Sequence, residues 1–267
     1  MPDDLHKYPR TPHIEGSRIM SGDEDLHTEP FSTLENRFLV IEEKVDGANA
    51  AISFTRDGEL RLQSRGHFLS GGGRERQFGV FKQWANRHAS SLHKVLGERY
   101  VLYGEWLFAK HTLFYDNLPH YFMEFDLLDT ETHCFLSTVR RKEILASLPL
   151  VGVPVLYSGF VASMKHLCSL LGRTPFISRE SNNVLRRLVT EMGLDVDEVC
   201  AQADTSGLME GLYIKVEDED VVKERYKFLR TSFLQSAPDT GSKWQDRPII
   251  ANQLRKGVDI FAANTSG

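Results

Sequence analysis

Short apolar runs separated by polar turn residues occupy much of the chain, a pattern typical of β-strands. Residues 38–41 form one such run and residues 50–54 another, with Lys44 and Gly47 in the polar stretch between them. Residues 50–54 and 59–63 flank an Asp-Gly pair, which is a strong hairpin signal between alternating strands. The pattern predicts consecutive strands joined by tight turns, and the first turn carries Lys44.

Three later apolar runs are also predicted as strands, and each of them contains a carboxylate. They are residues 100–106 with Glu105, residues 121–128 with Glu124 and Asp126, and residues 208–216 with Glu210. A buried carboxylate needs a metal ion, a cation or a hydroxyl donor as its partner. For each acid taken singly, an ordinary salt bridge is the alternative interpretation.

The run at residues 222–230 aligns three cations on one side of a predicted strand. Lys223, Arg225 and Lys227 share a face because side chains alternate along a strand, whereas the even-numbered positions are mainly apolar. Three aligned cations form a candidate anion-binding surface. The alternative is an exposed edge strand that its charges protect from further pairing.

Helical periodicity interrupts this strand pattern. Phe78, Phe81, Trp84 and Ala85 recur at helical spacing, which predicts an amphipathic helix whose aromatic rings lie in the core rather than stacking on bases. Helical patterns also occupy the stretch from about residue 160 to 205. The mixture of strands and helices predicts an α+β fold.

The composition is that of an ordinary soluble, globular protein. The formal net charge of −5 argues against non-specific coating of nucleic acid, because such binding rests on phosphate neutralisation. A local basic groove is still compatible with that charge. No apolar run reaches the length of a membrane span, and the N-terminus lacks the hydrophobic segment of a signal peptide. With three widely separated cysteines that show no metal-ligand spacing, a cytoplasmic protein is expected.

The Lys44 turn carries candidate chemistry. Gly47 can adopt backbone angles closed to other residues, so the chain can turn close to a ligand and hold a lysine at a phosphorus or carbonyl centre. The residues Lys44-Val45-Asp46-Gly47 also match Lys-x-Asp-Gly, the nucleophile motif of polynucleotide ligases and mRNA capping enzymes. Taken alone, four residues favour a surface lysine in a β-turn, because such short matches arise by chance.

Four further motifs follow the lysine motif in order. They are Gly104-Glu105-Trp106, Phe122-Met123-Glu124-Phe125-Asp126, Glu210-Gly211-Leu212-Tyr213-Ile214-Lys215 and Arg225-Tyr226-Lys227. With this ordered set, residues 38–235 resemble the ATP-dependent RNA ligases, nearest to the RNA ligase 2-like branch of the covalent nucleotidyltransferases. Glu43 and Asn49, on either side of the lysine motif, also suit that branch.

The last motif departs from the family pattern. The family often has Lys-x-Lys there, and Arg225 stands in place of the first lysine. Arginine keeps the charge and binds phosphate well. Lys223 is an alternative for the functional cation.

The resemblance implies a fold and a domain organisation. The expected fold is α+β, a nucleotidyltransferase (adenylyltransferase) domain of two antiparallel sheets flanked by helices. Residues 1–235 would form this domain and include the helical segment at about 160–205. Residues 236–267 would form a short C-terminal extension.

The resemblance also implies three successive nucleotidyl transfers. Lys44 attacks the α-phosphorus of ATP and keeps AMP while pyrophosphate leaves. AMP then passes to the 5′-phosphate of an RNA strand, and a 3′-hydroxyl attacks that activated end. Mg²⁺ or Mn²⁺ is the expected cofactor beside ATP, because such ions prefer oxygen ligands, and Glu210 is the candidate metal ligand.

Further site residues are assigned by the same resemblance. Glu105 would hold a ribose hydroxyl, Phe125 would stack on adenine, Arg65 would hold a phosphate and Asn49 would assist transfer to the RNA end. The predicted catalytic residues are Lys44, Asp46, Arg65 and Lys227. The predicted nucleotide-binding residues are Glu43, Lys44, Gly47, Asn49, Arg65, Glu105, Phe125, Lys215, Arg225 and Lys227.

Nucleophilic attack requires that Lys44 lose the proton that it carries at an ordinary pKa of about 10.4. Neighbouring cations, namely the metal ion, Arg225 and Lys227, are expected to lower that pKa. The same cations would offset the charge that develops on the phosphoryl oxygens.

Three rival interpretations stand beside the RNA ligase. A DNA ligase or an mRNA guanylyltransferase normally has a separate nucleic-acid-binding barrel, for which the stretch after Arg230 is expected to be too short. A non-catalytic nucleotide or RNA-end sensor would usually have lost residues such as Lys44 and Glu210. The third rival is an unrelated α+β fold with coincidental motifs. The expected partners are RNA with 3′-hydroxyl and 5′-phosphate ends and, as a hypothesis, an end-processing protein, with no membrane.

Overall fold

Two β-sheets form the frame of the chain. The computed structural model describes residues 5–19, 22–233 and 248–262. In these ranges the strands are β1 (His13–Ile14), β2 (Thr28–Glu29), β3 (Leu39–Lys44), β4 (Ala48–Phe54), β5 (Leu60–Ser64), β6 (Tyr100–Trp106), β7 (Phe122–Asp129), β8 (Cys134–Phe135), β9 (Val151–Gly152), β10 (Val155–Gly159), β11 (Gly211–Glu217) and β12 (Val222–Leu229).

The α-helices are short, and each lies in the chain between two strands of the same sheet. They are α1 (Gly79–Arg87), α2 (Ala89–Leu96), α3 (Thr138–Leu145), α4 (Met164–Ser169), α5 (Ser181–Glu191) and α6 (Val196–Ala201). The last three fall in the stretch from 160 to 205, where helical patterns interrupt the strands. Across the described part of the chain, no helix combines the length and the apolar character needed to cross a bilayer.

The predicted pair of antiparallel sheets is confirmed, with three parallel pairings as an addition. The first sheet has the strand order β10-β3-β11-β12-β1-β2, and the second has the order β5-β4-β6-β7-β8 with β9 beside β7. Strand β1 runs parallel to both β12 and β2, and β9 runs parallel to β7. Strand β12 therefore lies inside a sheet, and its interpretation as a charge-protected edge strand is wrong.

Helices cover the outer face of the second sheet. Phe81 and Trp84 of α1 and Leu92 of α2 are buried in a core that includes Ile52 and Leu102 of the sheet. The spacing of the α1 aromatics predicted this burial, because one face of an amphipathic helix carries its apolar side chains. These rings are core residues and leave no platform for bases.

A second core forms on the outer face of the first sheet. Leu167 of α4 packs with Ile41 of β3, Leu212 and Ile214 of β11, and Phe228 of β12. Because side chains alternate along a strand, the polar residues between these positions face the other sheet. Charged residues of both sheets therefore meet between the sheets, next to a small apolar cluster that includes Ala51, Val101 and Tyr103.

The Lys44 turn connects the two sheets. Strand β3 ends at Lys44 in the first sheet, and β4 begins at Ala48 in the second. Lys44 pairs with Gly211 of β11, whereas Asn49 pairs with Glu105 of β6. The two strands exist as predicted, but they do not pair with each other, since each finds its neighbours in a different sheet.

The Asp-Gly turn after β4 does form a hairpin. Strands β4 and β5 are antiparallel, with Phe54 opposite Leu60. Gly58 has a φ of +80°, a conformation that favours glycine over residues with a side chain. The hairpin prediction is therefore confirmed, and it places the end of β5 beside the start of β4.

Residues 248–262 return to the domain and pack on the loop between β6 and β7. Ala251 bridges to Ala109, and Nδ2 of Asn252 donates a hydrogen bond to the carbonyl oxygen of Leu107 at 2.7 Å. These residues belong to the stretch predicted as a C-terminal extension. The boundary predicted before that extension lies outside the described residues.

Candidate active site

Lys44 and Glu210 meet at the end of the β3–β11 pairing. Nζ of Lys44 donates a hydrogen bond to Oε1 of Glu210 at 2.7 Å. Glu210 lies there because it directly precedes Gly211, which pairs with Lys44. The Lys44 side chain is 26% exposed and that of Glu210 is 7% exposed, so the amine remains accessible beside a nearly buried acid.

The Lys44 turn requires a glycine at position 47 because the turn leaves no space for a side chain there. A Cβ atom on Gly47 would lie 2.7 Å from the carbonyl oxygen of Trp106, 2.7 Å from Cδ2 of Leu107 and 3.0 Å from Cγ of Glu105. Its φ is not in the positive region, so the predicted reason for this glycine, an unusual backbone conformation, is wrong. The missing side chain instead lets the turn pack directly on the end of β6.

Asp46 anchors the turn through the loop that follows β6. Oδ2 of Asp46 accepts hydrogen bonds from the backbone N–H groups of Thr112 and Leu113, each at 2.7 Å. The backbone N–H of Asp46 donates to the hydroxyl oxygen of Tyr115 at 2.8 Å. These bonds give Asp46 a positioning role next to Lys44, because at least one of its oxygens is already committed to backbone amides.

The second sheet contributes a row of polar residues at the same end. Asn49 of β4 pairs with Glu105 of β6, and on its other side Ala50 pairs with Ser64 of β5. Arg65 directly follows Ser64, the last residue of β5. Arg65 is exposed and has no ion-pair partner among the described residues, and Oδ1 of Asn49 is buried without a hydrogen-bond partner among them.

Lys227 reaches this end of the first sheet from β12. Lys227 pairs with Tyr213 of β11, and its Nζ is bonded to Oδ2 of Asp23. Burial lowers the pKa of Lys227, and the positive charge of Lys44 lowers it further, whereas Asp23 and Glu210 act in the opposite direction. Because the charges of Lys44 and Glu210 affect the pKa of Lys227, this predicted phosphate-binding lysine lies close to both residues.

We call this set the Lys44 cluster: Lys44, Asp46, Glu105, Glu210 and Lys227. Burial alone would lower the pKa of Lys44, but the carboxylates of Glu210 and Glu105 outweigh it and raise that pKa. Among the described side chains the acids therefore outweigh the cations, and the lowering expected from a metal ion stays a prediction. Lys44 is held in its protonated form by its acidic neighbours.

Two of the three acids of the Lys44 cluster, Glu105 and Glu210, also have raised pKa values. Burial raises the pKa of Glu105 to about 8, and the carboxylates of Glu210 and Asp46 add to the rise against the opposing charge of Lys44. Burial also raises the pKa of Glu210 to about 7. Strongly shifted carboxyl groups beside a lysine are a common property of active sites.

Lys215 and Arg225 lie away from the Lys44 cluster. The Lys215 side chain is fully buried, with Nζ 2.8 Å from Oε2 of Glu42 and 2.9 Å from Oδ1 of Asp126. Nε of Arg225 lies 3.1 Å from Oδ2 of Asp126, and its guanidinium stacks on Phe135. The structure therefore does not bring these two predicted nucleotide-binding cations to Lys44.

Arg141 of α3 completes a set that we call the buried ion network: Glu42, Glu124, Asp126, Arg141, Lys215 and Arg225. Arg141 is fully buried, with Nη2 2.8 Å from Oε1 of Glu42 and Nε 3.0 Å from Oε2 of Glu124. Glu42 belongs to the first sheet and Glu124 to the second, so this arginine ties the sheets together. Sequence reasoning missed Arg141, although it shares a buried helix face with Thr138 and Leu145.

The predicted adenine-stacking residue, Phe125, packs on the N-terminal segment. Phe125 sits at an irregularity in the β6–β7 pairing, where Tyr103 faces Asp126 and the register then shifts. The ring of Tyr8 makes an edge contact with that of Phe125, with centroids 5.2 Å apart. The Tyr8 hydroxyl lies 2.6 Å from that of Tyr213 and donates to Asp126 at 2.5 Å.

Glu43 is the one predicted nucleotide-binding residue on the outer face of β3. It is 2% exposed, and the alternation along the strand sets it opposite to Lys44. Burial raises the pKa of Glu43 to about 7, which the hydroxyl of Thr174 only partly offsets. The structure does not bring this acid to the Lys44 cluster.

One carboxylate of the Lys44 cluster fits a divalent cation. Oε1 of Glu210 faces Lys44, whereas Oε2 is buried and has no hydrogen-bond partner among the described residues. The same residues contain no group of three or more histidine, cysteine or acidic side chains able to enclose a metal ion. Mg²⁺ and Mn²⁺ often take only one or two carboxylates from the protein, so Oε2 of Glu210 stays a candidate ligand for such an ion.

Comparison with known proteins identifies a family. A family model described as RNA ligase matches residues 37–229, more than two thirds of the 267-residue chain. A comparison with curated proteins gives no match. Solved structures of Naegleria gruberi RNA ligase are similar to this chain.

The similarity to those structures is low in sequence identity. A mutant of the Naegleria ligase with ATP and Mn is 14% identical at a TM-score of 0.47, covering 74% of this chain and 50% of that chain. A second mutant with ATP and Mn is also 14% identical, at a TM-score of 0.48, and the match covers 76% of this chain and 52% of that chain. The ligase with PPi is 15% identical at a TM-score of 0.46, and the match covers 74% of this chain and 50% of that chain. The present chain therefore spans about half the length of these ligases.

The matched segment and the candidate site coincide. The match begins two residues before β3 and ends at the last residue of β12, so it contains Lys44, Glu105, Glu210 and Lys227. These residues come from both sheets and lie at one end of them. Because the family model matches more than half of the chain and the matched segment contains these site residues, the chain belongs to the RNA ligase family.

Proposed function

We propose that the protein is an ATP-dependent RNA ligase that joins 3′-hydroxyl and 5′-phosphate RNA ends. The reaction would pass through AMP bound covalently to Lys44 and then through an adenylylated RNA 5′ end. The observation that carries the proposal is the contact of 2.7 Å between Nζ of Lys44 and Oε1 of Glu210, at the turn where the two sheets connect. An accessible amine beside an acid of shifted pKa suits nucleophilic catalysis.

In the first transfer a bond forms between Nζ of Lys44 and the α-phosphorus of ATP. The bond from that phosphorus to the bridging oxygen breaks, and pyrophosphate leaves with the electron pair. Lys44 must give up its proton for this step, and its hydrogen bond to Oε1 of Glu210 offers a direct acceptor. The pKa of Glu210 at about 7 makes that carboxylate a stronger base than an ordinary glutamate.

The negative charge of Glu210 and Glu105 must be offset before Lys44 becomes an effective nucleophile, since these acids raise its pKa. A divalent cation held by Oε2 of Glu210 would supply positive charge toward both the carboxylate and the phosphate oxygens. Lys227 would add a second positive charge from the neighbouring strand. The metal ion is proposed to be Mg²⁺ or Mn²⁺.

The remaining predicted residues have proposed roles in binding. Glu105 would hold a ribose hydroxyl beside the Lys44 turn, and Phe125 would stack on adenine. Arg65, which has no ion-pair partner among the described residues, would hold a phosphate. Asn49, with a buried and unpartnered Oδ1 there, would orient the RNA 5′-phosphate during the second transfer.

Adenylylation is the first test. The protein is incubated with ATP and Mg²⁺ or Mn²⁺ and weighed by mass spectrometry, and we expect the added mass of one AMP. A Lys44→Ala variant should gain nothing. If the unmodified protein gains no mass over a range of metal ions and pH, the proposed chemistry is wrong and a non-catalytic sensor or a coincidental fold is favoured.

Substrate choice is the second test. Radiolabelled ATP is compared with GTP, and nicked RNA with nicked DNA, because GTP labelling would indicate a guanylyltransferase and DNA joining a DNA ligase. An Asn49→Ala variant should still form the lysyl adduct but should transfer it to RNA more slowly. Equal loss of both steps in that variant would remove the role proposed for Asn49.

Two further proposals concern the setting of the protein. We propose a cytoplasmic location and a separate protein that repairs damaged RNA ends before sealing. Purified chain alone should then seal 3′-hydroxyl and 5′-phosphate ends but leave blocked ends unjoined. Efficient joining of blocked ends by the lone chain would contradict the need for a partner.

A further inference from the structure

The acidic loop at residues 22–25 reaches the phosphate-binding lysine of the Lys44 cluster. Oδ2 of Asp23 is bonded to Nζ of Lys227 and lies 3.4 Å from Nε2 of His13. His13 is itself fully buried and pairs with Lys227 in the β1–β12 ladder. Asp23 is 204 residues from Lys227 in the chain, so nothing local in the sequence announces this contact.

A single arginine fastens this loop. Nη1 and Nη2 of Arg10 bond to the two carboxylate oxygens of Asp25 at 2.6 and 2.7 Å, and Nη2 also donates to the carbonyl oxygen of Gly22 at 2.7 Å. Two parallel bonds from one guanidinium to one carboxylate fix both distance and orientation. Arg10 also lies 3.5 Å from Oδ1 of Asp23, so the arginine holds the loop in the position that delivers Asp23 to Lys227.

The contact has a chemical consequence for nucleotide binding. A carboxylate oxygen and a phosphate oxygen are both anionic acceptors for an ammonium group, and two anions at one lysine repel each other. The Asp23 side chain is 18% exposed and that of Lys227 is 12% exposed, so solvent screens their interaction only in part. Where the proposed function places a phosphate, the ligand-free protein already holds an acid.

We propose that the loop at residues 22–25 is an acidic latch that occupies the phosphate site at Lys227 and that ATP must displace Asp23 from it. The inference rests on the proposed function for the identity of the ligand. It adds a residue outside the matched family segment, which begins at residue 37. The latch makes nucleotide binding weaker than the Lys44 cluster alone would allow.

The opposite role for Asp23 predicts the opposite result. If Asp23 oriented Lys227 for catalysis, removal of its charge would weaken ATP binding and slow adenylylation. If Asp23 competes with phosphate, removal of its charge strengthens binding. One substitution therefore separates the two roles by the direction of its effect.

The experiment measures ATP binding and lysine adenylylation separately. Binding of ATP in the presence of Mg²⁺ is measured by calorimetry in a Lys44→Ala background, where no adduct can form. We expect Asp23→Asn to bind ATP about five- to tenfold more tightly, a change of about 1 to 1.4 kcal/mol. With Lys44 intact, the same substitution should lower the ATP concentration for half-maximal adenylylation by a similar factor.

Two companion variants isolate the cause. Glu24→Gln removes the same charge from the same loop, but within the described residues Glu24 accepts its hydrogen bond from the backbone N–H of Gly22 and not from Lys227, so binding should stay unchanged. Arg10→Gln keeps the Asp23 carboxylate but releases the loop, and it should also strengthen ATP binding. A gain in the Glu24 variant equal to that of the Asp23 variant would show a general charge effect and overturn the latch.

The outcomes also separate the latch from the proposed function. Weaker ATP binding in the Asp23 variant, with an unchanged melting temperature, overturns the latch and leaves the ligase intact. Tighter binding without adenylylation in any variant supports the latch and contradicts the ligase chemistry. Absence of ATP binding in every variant contradicts both.

Discussion

The Lys44 cluster and the buried ion network both consist of basic and acidic residues and share strands β3 and β12, but they differ in charge balance. Lys44 and Glu42 are two positions apart on β3, and Lys227 and Arg225 are two positions apart on β12. In the network, three cations face three carboxylates. In the cluster, the carboxylates of Glu105, Glu210 and Asp46 surround Lys44, while Lys227 is taken by Asp23.

The difference shows in the pKa values of the acids. Burial opposes ionisation of Asp126, but Lys215, Arg225 and Arg141 outweigh it and lower its pKa to about 2. Burial raises the pKa of Glu105 to about 8, and Lys44 does not reverse that rise. Balanced charges hold the two sheets together, whereas the acids of the Lys44 cluster are left with too few cations to balance them. We therefore propose that the charged motif residues divide into a structural set and a reactive set.

The largest expected effect is the loss of chemistry at Lys44. Lys44→Met removes the amine without disturbing the network, and adenylylation should fall by at least about 10³-fold because no phosphorus–nitrogen bond can form. The free energy of unfolding should change by less than about 1 kcal/mol, since the lysine is part-exposed and its acids can take up protons. Lys223→Met, which alters a surface lysine paired with Asp218, is the control and should keep full activity.

A decrease of several kcal/mol in the free energy of unfolding of the Lys44→Met variant would contradict the division into a structural set and a reactive set. Mass spectrometry gives the adduct, and urea denaturation of the same samples gives the free energy of unfolding. Both measurements are needed, because an unfolded variant would also fail to react.

The network should show the reverse behaviour. Arg141→Met leaves the carboxylate of Glu124 without its buried ion-pair partner and that of Glu42 with Lys215 alone, and removal of one member of a buried ion pair typically costs about 3 to 5 kcal/mol. Arg140→Met is the matched control, because Arg140 is the preceding residue and is half exposed beside Glu143. Its cost should stay within about 0.5 kcal/mol. If the Arg141→Met and Arg140→Met variants have the same denaturation midpoint, Arg141 does not hold the two sheets together.

Sequence reasoning found the elements better than their partners. The hairpin after β4 and the core face of α1 follow from local signals, namely Asp-Gly and the spacing of Phe81 and Trp84. Strands β3 and β4 were also recognised, but their assignment to different sheets depends on pairings with β11 and β6 far along the chain. No local pattern contains that information.

The sequence predicted those residues of the candidate site that belong to the family motifs. The motifs pointed to Lys44, Glu105, Glu210 and Lys227, which the structure brings together. They did not distinguish Arg225 from Lys227, because both share one strand face, yet two residues along a strand span about 7 Å. That distance separates the buried ion network from the Lys44 cluster. Asp23 carried no signal, since its role depends on a contact with a distant lysine.

Glu43 offers a third environment, a buried acid without a cation, on the opposite face of β3. Its pKa of about 7 in the folded protein lies above that of the unfolded chain, so the folded state binds more protons between about pH 4.5 and 7. Its contribution to stability is therefore complete below the unfolded pKa and is lost as the pH rises through about 7, a change of about 3 kcal/mol.

Glu43→Gln should flatten this part of the pH profile. Denaturant unfolding at steps between pH 4.5 and 8 is compared for the two proteins, and the difference isolates Glu43 from the other shifted acids. Equal slopes in both proteins would mean that the pKa of Glu43 is not raised.

The smallest expected effect comes from Gly47→Ala. The added Cβ has no room against the carbonyl oxygen of Trp106, so the turn must move away from β6 at a cost of about 1 to 3 kcal/mol. Because the same movement separates Lys44 from Glu105, adenylylation should fall more than stability alone explains. Gly66→Ala is the control, since nothing lies within 4 Å of its added Cβ. An alanine at position 47 without effect on rate would show that this close approach is dispensable.

The placement of the N-terminal segment has a consequence for biosynthesis. Tyr8 bonds to Asp126 and Tyr213, and β1 joins the first sheet only beside β12. Residues of this segment thus wait for partners made some two hundred residues later, and contacts of such long sequence separation form slowly. The nascent chain can complete its first sheet only after β12 has emerged from the ribosome.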